Sequence, residues 1–281
     1  MKKIMEKAKR VSICGCGWLG LPLAKHLQQA GYETFGSKQT QEGVDGLEKQ
    51  GIKGAVVSLP LQKEGHSAAL NAFLTADVMV LNVPPGRQTT SADEYRAKII
   101  SLSEAAKAAG CQRLIFISTT SVYGDMEGEI TELTIPDPVT ESGRVHVELE
   151  QQLRQVWGDE LVVLRLAGLI GPERHPVKFL AGRQGITNGG APVNLVHLDD
   201  VIFAVEAIIA RWPAKTTLHL SAPQHPSRQV YYREMARLAG LALPEFQPGG
   251  EQGKWVNASA TVQILGLNWR YGDLMALAPE L

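Results

Sequence analysis

Short apolar runs alternate with segments of helical period over the first two-thirds of the chain. That alternation predicts a parallel sheet flanked by helices. Residues 11–14 read as a first strand, 18–30 as its helix with Gly31 as the stop, and 32–37 as a second strand. Third and fourth strands follow at 55–59 and 77–83, the latter ended by Pro84, Pro85 and Gly86. A helix over 91–109 carries a Ser91 cap and a Gly110 stop. Then come a fifth strand at 113–118, a long helix at 141–157 and a sixth strand at 161–166. Six strands with intervening helices predict an α/β fold, a doubly wound parallel Rossmann sheet.

Beyond Ala167 the pattern loosens into Gly- and Pro-rich stretches. Helices are expected at 199–211, 227–238 and 260–265, and a strand at 216–221. The expected division is a dinucleotide-binding domain over 1–166 and a small C-terminal substrate-side lobe over 167–281, with 195–221 returning to the main domain.

Composition narrows the class. With 281 residues, 44% of them hydrophobic, the chain is long enough for one large domain or a core domain plus a small appendage. A formal net charge of -1 gives no electrostatic argument for nucleic acid or a membrane surface as partner. Three cysteines, Cys14, Cys16 and Cys111, are too few and too odd for a disulfide framework, and no motif makes them metal ligands. The basic start followed by 11–24 imitates a secretory signal. Glycines at dinucleotide spacing inside the apolar run, and the lack of a small-residue cleavage site after it, argue for a strand and a turn instead. The expectation is a soluble cytoplasmic protein acting on a small molecule, with a homodimer as a possible assembly.

Candidate chemistry begins at Gly15-Cys16-Gly17-Trp18-Leu19-Gly20, directly after a strand and opening a helix. In that context G-x-G-x-x-G marks a dinucleotide site. Gly15 permits the tight turn, Gly17 lets the backbone approach a pyrophosphate, and Gly20 lets helix and sheet pack closely. The helix N-terminus then favours the phosphates, with Trp18 and Leu19 lining it. An enzyme using the unphosphorylated cofactor places an acid at the end of the second strand, about 20 residues on. Here Ser37 and Lys38 stand there, a hydroxyl and a cation that suit a 2'-phosphate. NADP is therefore expected over NAD. Val83 and Pro84, at the end of the fourth strand, and Ser118, ending the fifth, complete the expected cofactor set.

Further motifs resemble the NAD-dependent epimerase/dehydratase family, the extended short-chain dehydrogenases. The 116–125 segment FISTTSVYGD is similar to the family's F-x-S-S-x-x-V-Y-G-D, Arg165-Leu166 with Gly171-Pro172 to its R-x-x-N-x-x-G-P, and His197-Leu198-Asp199-Asp200 to its H-V-x-D. The resemblance implies that Thr119 hydrogen-bonds the reacting oxygen. It breaks at the family's P-x-x-x-Y-G-x-S-K-x-x-x-E, read here as PVTESGRVHVELE: Ser142 replaces the catalytic tyrosine and His146 the lysine.

A serine hydroxyl has neither the acidity nor the reach of a phenol. His146 retains a ring able to exchange a proton near neutrality and to contact the nicotinamide ribose. Tyr123 is the remaining phenol in this region and a further candidate acid. Gly168, Ile170 and Val193 depart from the family's usual substrate contacts, and Arg174, His175, Lys178 and Arg183 gather positive charge near the expected mouth. Two functions follow: an atypical oxidoreductase or epimerase acting on a small polar substrate, or a catalytically decayed dinucleotide-binding protein serving as a redox-responsive regulator. The missing Tyr/Lys pair favours the second, the retained Thr119 the first.

Overall fold

The computed structural model describes residues 10–62, 65–85, 91–214 and 216–281. Gly86 and the first nine residues lie outside them.

Seven strands form the central parallel sheet in the order β10-β7-β5-β4-β1-β2-β3. In chain order these are β1 (Arg10–Cys14), β2 (Glu33–Lys38), β3 (Lys53–Val56), β4 (Val78–Leu81), β5 (Arg113–Thr119), β7 (Leu161–Leu166) and β10 (Thr216–Leu220). The ladders β1–β2, β1–β4, β2–β3 and β4–β5 are all parallel. The order reverses at β1, whose neighbours are β2 and β4. Such a switch point opens a crevice at the carboxyl ends of the strands.

Among the described residues, the strands as far as β7 are joined in turn by α1 (Gly20–Gln29), α2 (Gln41–Glu48), α3 (Ala68–Leu74), α4 (Ala92–Ala108) and α5 (Glu141–Trp157). Helix α4 opens on a complete capping box, with Glu94 N donating to Ser91 Oγ and Ser91 N to the Glu94 carboxylate. Every residue of β4 and β7 is buried, as expected for strands covered on both faces.

The chain groups into two compact units. The first takes 1–118, 144–164 and 205–217, and its core includes Phe35, Phe73, Met79, Ile99, Phe116, Leu149 and Trp157. The second takes 119–143, 165–204 and 218–281, with a smaller core around Ile170, Val177, Val193, Tyr231, Met235 and Leu274. A break at residue 166 therefore misplaces 119–143, which follow β5 in sequence but pack with later segments.

Two short parallel pairs belong to the second unit. They are β6 (Gly128–Ile130) with β11 (Lys254–Val256), and β8 (Gly168–Ile170) with β9 (Leu195–His197). Its helices are α6 (Val177–Leu180), α8 (Arg228–Leu238) and α9 (Ser259–Leu265). Helix α7 (Leu198–Arg211) runs from this unit back into the first.

Candidate functional site

The glycine turn between β1 and α1 has the three-part geometry its spacing predicts. Gly15 has φ +96°, and a Cβ on it would fall 2.2 Å from Asn82 O. A Cβ on Gly20 would fall 2.2 Å from Gly15 O. Both positions are closed by the fold itself. Gly17 is exposed, and a Cβ there would meet nothing within 4 Å. Its lack of a side chain serves no internal packing, and the space beside its backbone is open. Trp18 is half-buried and Leu19 buried, and α1 offers its amino end beside them.

Side chains from two neighbouring strands hold this turn. Gly15 N donates to Ser37 Oγ at 3.1 Å, and Ser37 Oγ donates to Cys14 Sγ at 3.5 Å. Asn82 Nδ2 donates to Gly15 O at 3.2 Å. Ser37 is thus buried and its hydroxyl serves the glycine turn, which corrects the pairing of Ser37 with Lys38 as a joint 2'-phosphate contact. Lys38 is half-buried at the end of β2, where no acid stands. Asn82 escaped sequence reasoning because only the β1–β4 register brings it beneath the turn. Burial pushes the Cys14 thiol up to about 12 and that of Cys16 to about 11, so neither is a thiolate at neutral pH.

Val83 and Pro84 follow β4, half-buried and exposed respectively. Val83 O accepts from Tyr95 OH at 2.8 Å. Ser118 is buried at the end of β5 and donates from Oγ to Glu150 Oε1 at 2.6 Å. Its hydroxyl is bonded within the protein. His146 is 5% exposed, its ring centroid 6.0 Å from that of Phe116 and 5.7 Å from that of Tyr95.

In the second unit, Thr119 caps a 3-10 turn over Thr120–Tyr123. Its Oγ1 accepts from Ser121 N and donates to Ser121 Oγ, both at 3.1 Å. Ser121 is therefore the hydroxyl coupled to Thr119, a partner that family spacing did not single out. Ser142 is exposed in the first turn of α5, beside a Gly143 whose Cβ would strike Ser121 O and Pro138 Cβ, each at 2.9 Å.

Tyr123 is fully buried. Arg165 Nη1 donates to its hydroxyl at 2.5 Å, and the same hydroxyl lies 2.5 Å from His219 Nε2. A phenol enclosed in this way has no route to a substrate, so Tyr123 is removed as a candidate acid. His175 is also buried, its Nδ1 accepting from Val177 N at 3.2 Å and its Nε2 2.8 Å from Tyr231 OH. Burial pushes it down to about 4, so it adds no positive charge to Arg174, Lys178 and Arg183. Ile170 and Val193 lie in the core, and a side chain at Gly168 would begin 2.8 Å from Leu195 Cδ2.

The fold is that of a Rossmann-type α/β protein, and the chain belongs to the NAD dependent epimerase/dehydratase family, whose model matches residues 12–217. It is 39% identical to Protein YeeZ of Escherichia coli (strain K12), an alignment covering 97% of this chain and all of that protein. Among solved structures, a functionally unknown conserved protein from Silicibacter pomeroyi superposes with a TM-score of 0.74 at 22% identity, over 95% of this chain and 96% of its own. UDP-glucuronic acid 4-epimerase from Bacillus cereus, solved with NAD, gives 0.73 at 19% identity, covering 95% and 94%. At those identities the structural likeness establishes the fold alone. No helix among the described residues is long and apolar enough to cross a membrane.

Proposed function

We propose that this chain binds a nicotinamide dinucleotide over Gly15–Gly20, NADP(H) in preference to NAD(H), and acts as an oxidoreductase or epimerase on a small polar substrate. The observation that carries the reading is the open space at Gly17 between two glycines that the fold itself requires. Lys38 alone takes the 2'-phosphate, as a point charge, because Ser37 is committed to the turn. When bound, the nicotinamide supplies hydride acceptance and return.

The protein's own part is to orient an oxygen and move a proton. Thr119, with Ser121 behind it, orients the reacting oxygen. His146 exchanges the proton in place of the absent phenol. The Ser142 hydroxyl is left as a polar contact rather than an acid, since it is exposed and weakly acidic. The substrate is smaller than a nucleotide-sugar, because two of the positions that would grip one, Ile170 and Val193, are buried in the protein, and Gly168 offers no side chain.

Calorimetric titration with NADPH and NADH tests the first half. Losing one charge-assisted contact costs about 1.5–3 kcal/mol, so Lys38→Ala should weaken NADP(H) roughly tenfold or more and leave NAD(H) unchanged. Equal affinities in the unmodified protein would overturn the preference. A screen of small sugars, hydroxy acids and carbonyl compounds, read by nicotinamide absorbance, tests the second half. Turnover should follow the ionisation of an imidazole and collapse in His146→Ala while binding persists. Tight binding with no turnover across the screen would favour the regulator instead.

A further inference from the structure

Helix α5 carries a polar stripe through an otherwise apolar buried face. His146, Glu150 and Arg154 recur every four residues, so they lie one above another on one side of the helix. Around them the same helix buries Val145, Leu149 and Leu153 in the core. His146 is 5% exposed and Glu150 3% exposed, although a charged carboxylate is costly to bury. The carboxylate is fixed, because Ser118 Oγ donates to its Oε1 at 2.6 Å. The imidazole is fixed as well, its ring inclined 25° to that of Phe116 and 43° to that of Tyr95. Two rigid, buried, ionisable groups one helical turn apart are an arrangement that simple packing does not require.

We propose that Glu150 is a positioning residue for His146: a carboxylate set behind the imidazole so that the ring can carry a proton while buried. The inference rests on His146 being the proton-exchanging group of the proposed reaction. In that step a ring nitrogen of His146 takes the proton from the substrate hydroxyl oxygen as the carbon bearing it becomes a carbonyl, and a dinucleotide held over Gly15–Gly20 would supply the acceptor for that carbon's hydride. The Glu150 carboxylate offsets the imidazolium charge. The reverse step returns the proton to oxygen.

The other groups around the ring do not replace this role. Tyr95, from α4, is kept a neutral phenol by burial and directs its proton to Val83 O. Phe116 and Ser118, from β5, do not titrate. Arg154, on the far side of Glu150, donates to Thr217 Oγ1 on β10. His175 supplies an internal comparison. It is also 5% exposed, has a phenol rather than a carboxylate as its side-chain partner, and is pushed down to about 4.

The test is the titration of His146 itself, followed in the full-length protein by ¹⁵N NMR of the imidazoles, with its signal among the 7 histidines identified by its loss in His146→Asn. The unmodified protein should show His146 half-protonated at or above about pH 6.5 despite burial. Glu150→Gln should lower that midpoint by about one unit or more. A His146 that stays neutral down to pH 5 would overturn the proposal without any variant, and so would an unchanged midpoint in folded Glu150→Gln. The readout needs neither cofactor nor turnover. Failure to bind dinucleotide or to turn over substrate would count against the proposed function and leave this titration standing; a flat titration would do the reverse.

Discussion

At the scale of single residues, three glycines in one motif separate into two kinds. Replacing Gly17 with valine adds atoms only to open space, so the protein should fold with its melting temperature nearly unchanged and lose dinucleotide affinity at least tenfold. Gly20→Ala places a methyl 2.2 Å from a carbonyl oxygen, and should cost about 1–3 kcal/mol of stability on a denaturant curve. A folded Gly17→Val protein that binds normally would remove the cofactor assignment. Ser37 gives a second test. Its hydroxyl supports the glycine turn, so Ser37→Ala should weaken NADP(H) and NAD(H) together, unlike Lys38→Ala; selective loss of NADP(H) would restore Ser37 to the phosphate. The motif was legible because each glycine's need is local. The direction of the Ser37 hydroxyl was not, since it depends on the β1–β2 register that sets Ile13 opposite Gly36. Tyr123 misled for the same reason: only the fold brings Arg165 and His219 to its hydroxyl.

At the scale of elements, legibility followed the source of each element's stability. Helices α4 and α5 were read almost to the residue because seventeen positions of periodic burial, caps and stops repeat one message. Helix α2 escaped: it is short, contains Gly43 and Gly46, and buries only Val44 and Leu47. Strands β6, β8, β9 and β11 have three residues each and exist through partners far away in sequence, as Gly128 opposite Lys254 shows. Long-range anchoring also creates a pH dependence. His175 ties α6 to α8, since its Nδ1 accepts from Val177 N and its protonated Nε2 therefore donates to Tyr231 OH. Its value falls from 6.5 when unfolded to about 4 when folded, so between those limits the unfolded chain binds the extra proton. The stability this histidine contributes should be complete above about pH 6.5 and decline as pH falls toward 4. Urea unfolding at pH 7, 5.5 and 4.5 should show the gap between the unmodified protein and His175→Gln narrowing in that order. A constant gap would mean that the imidazole does not titrate with folding.

At the scale of the whole molecule, the chain's path determines what can be cut away. The strand alternation made a doubly wound sheet readable, and the 216–221 strand was expected to return to the main domain. Its place was not readable: β10 is the edge strand beside β7, and no local feature of 161–166 announces the partner that arrives fifty residues later. A fragment ending at residue 166 would contain the whole dinucleotide motif, and a division by sequence alone makes it a domain. It lacks 205–217, which pack with the first unit, and it retains 119–143, which pack with the second. Removing β10 also leaves β7, buried at all six positions, as an open hydrophobic edge. The 1–166 fragment should therefore aggregate or elute as an expanded chain, with far-UV circular dichroism well short of the helix and strand content its residues hold in the full protein. A soluble, cooperatively unfolding 1–166 fragment that binds NADPH would show that the first unit needs neither β10 nor the end of α7.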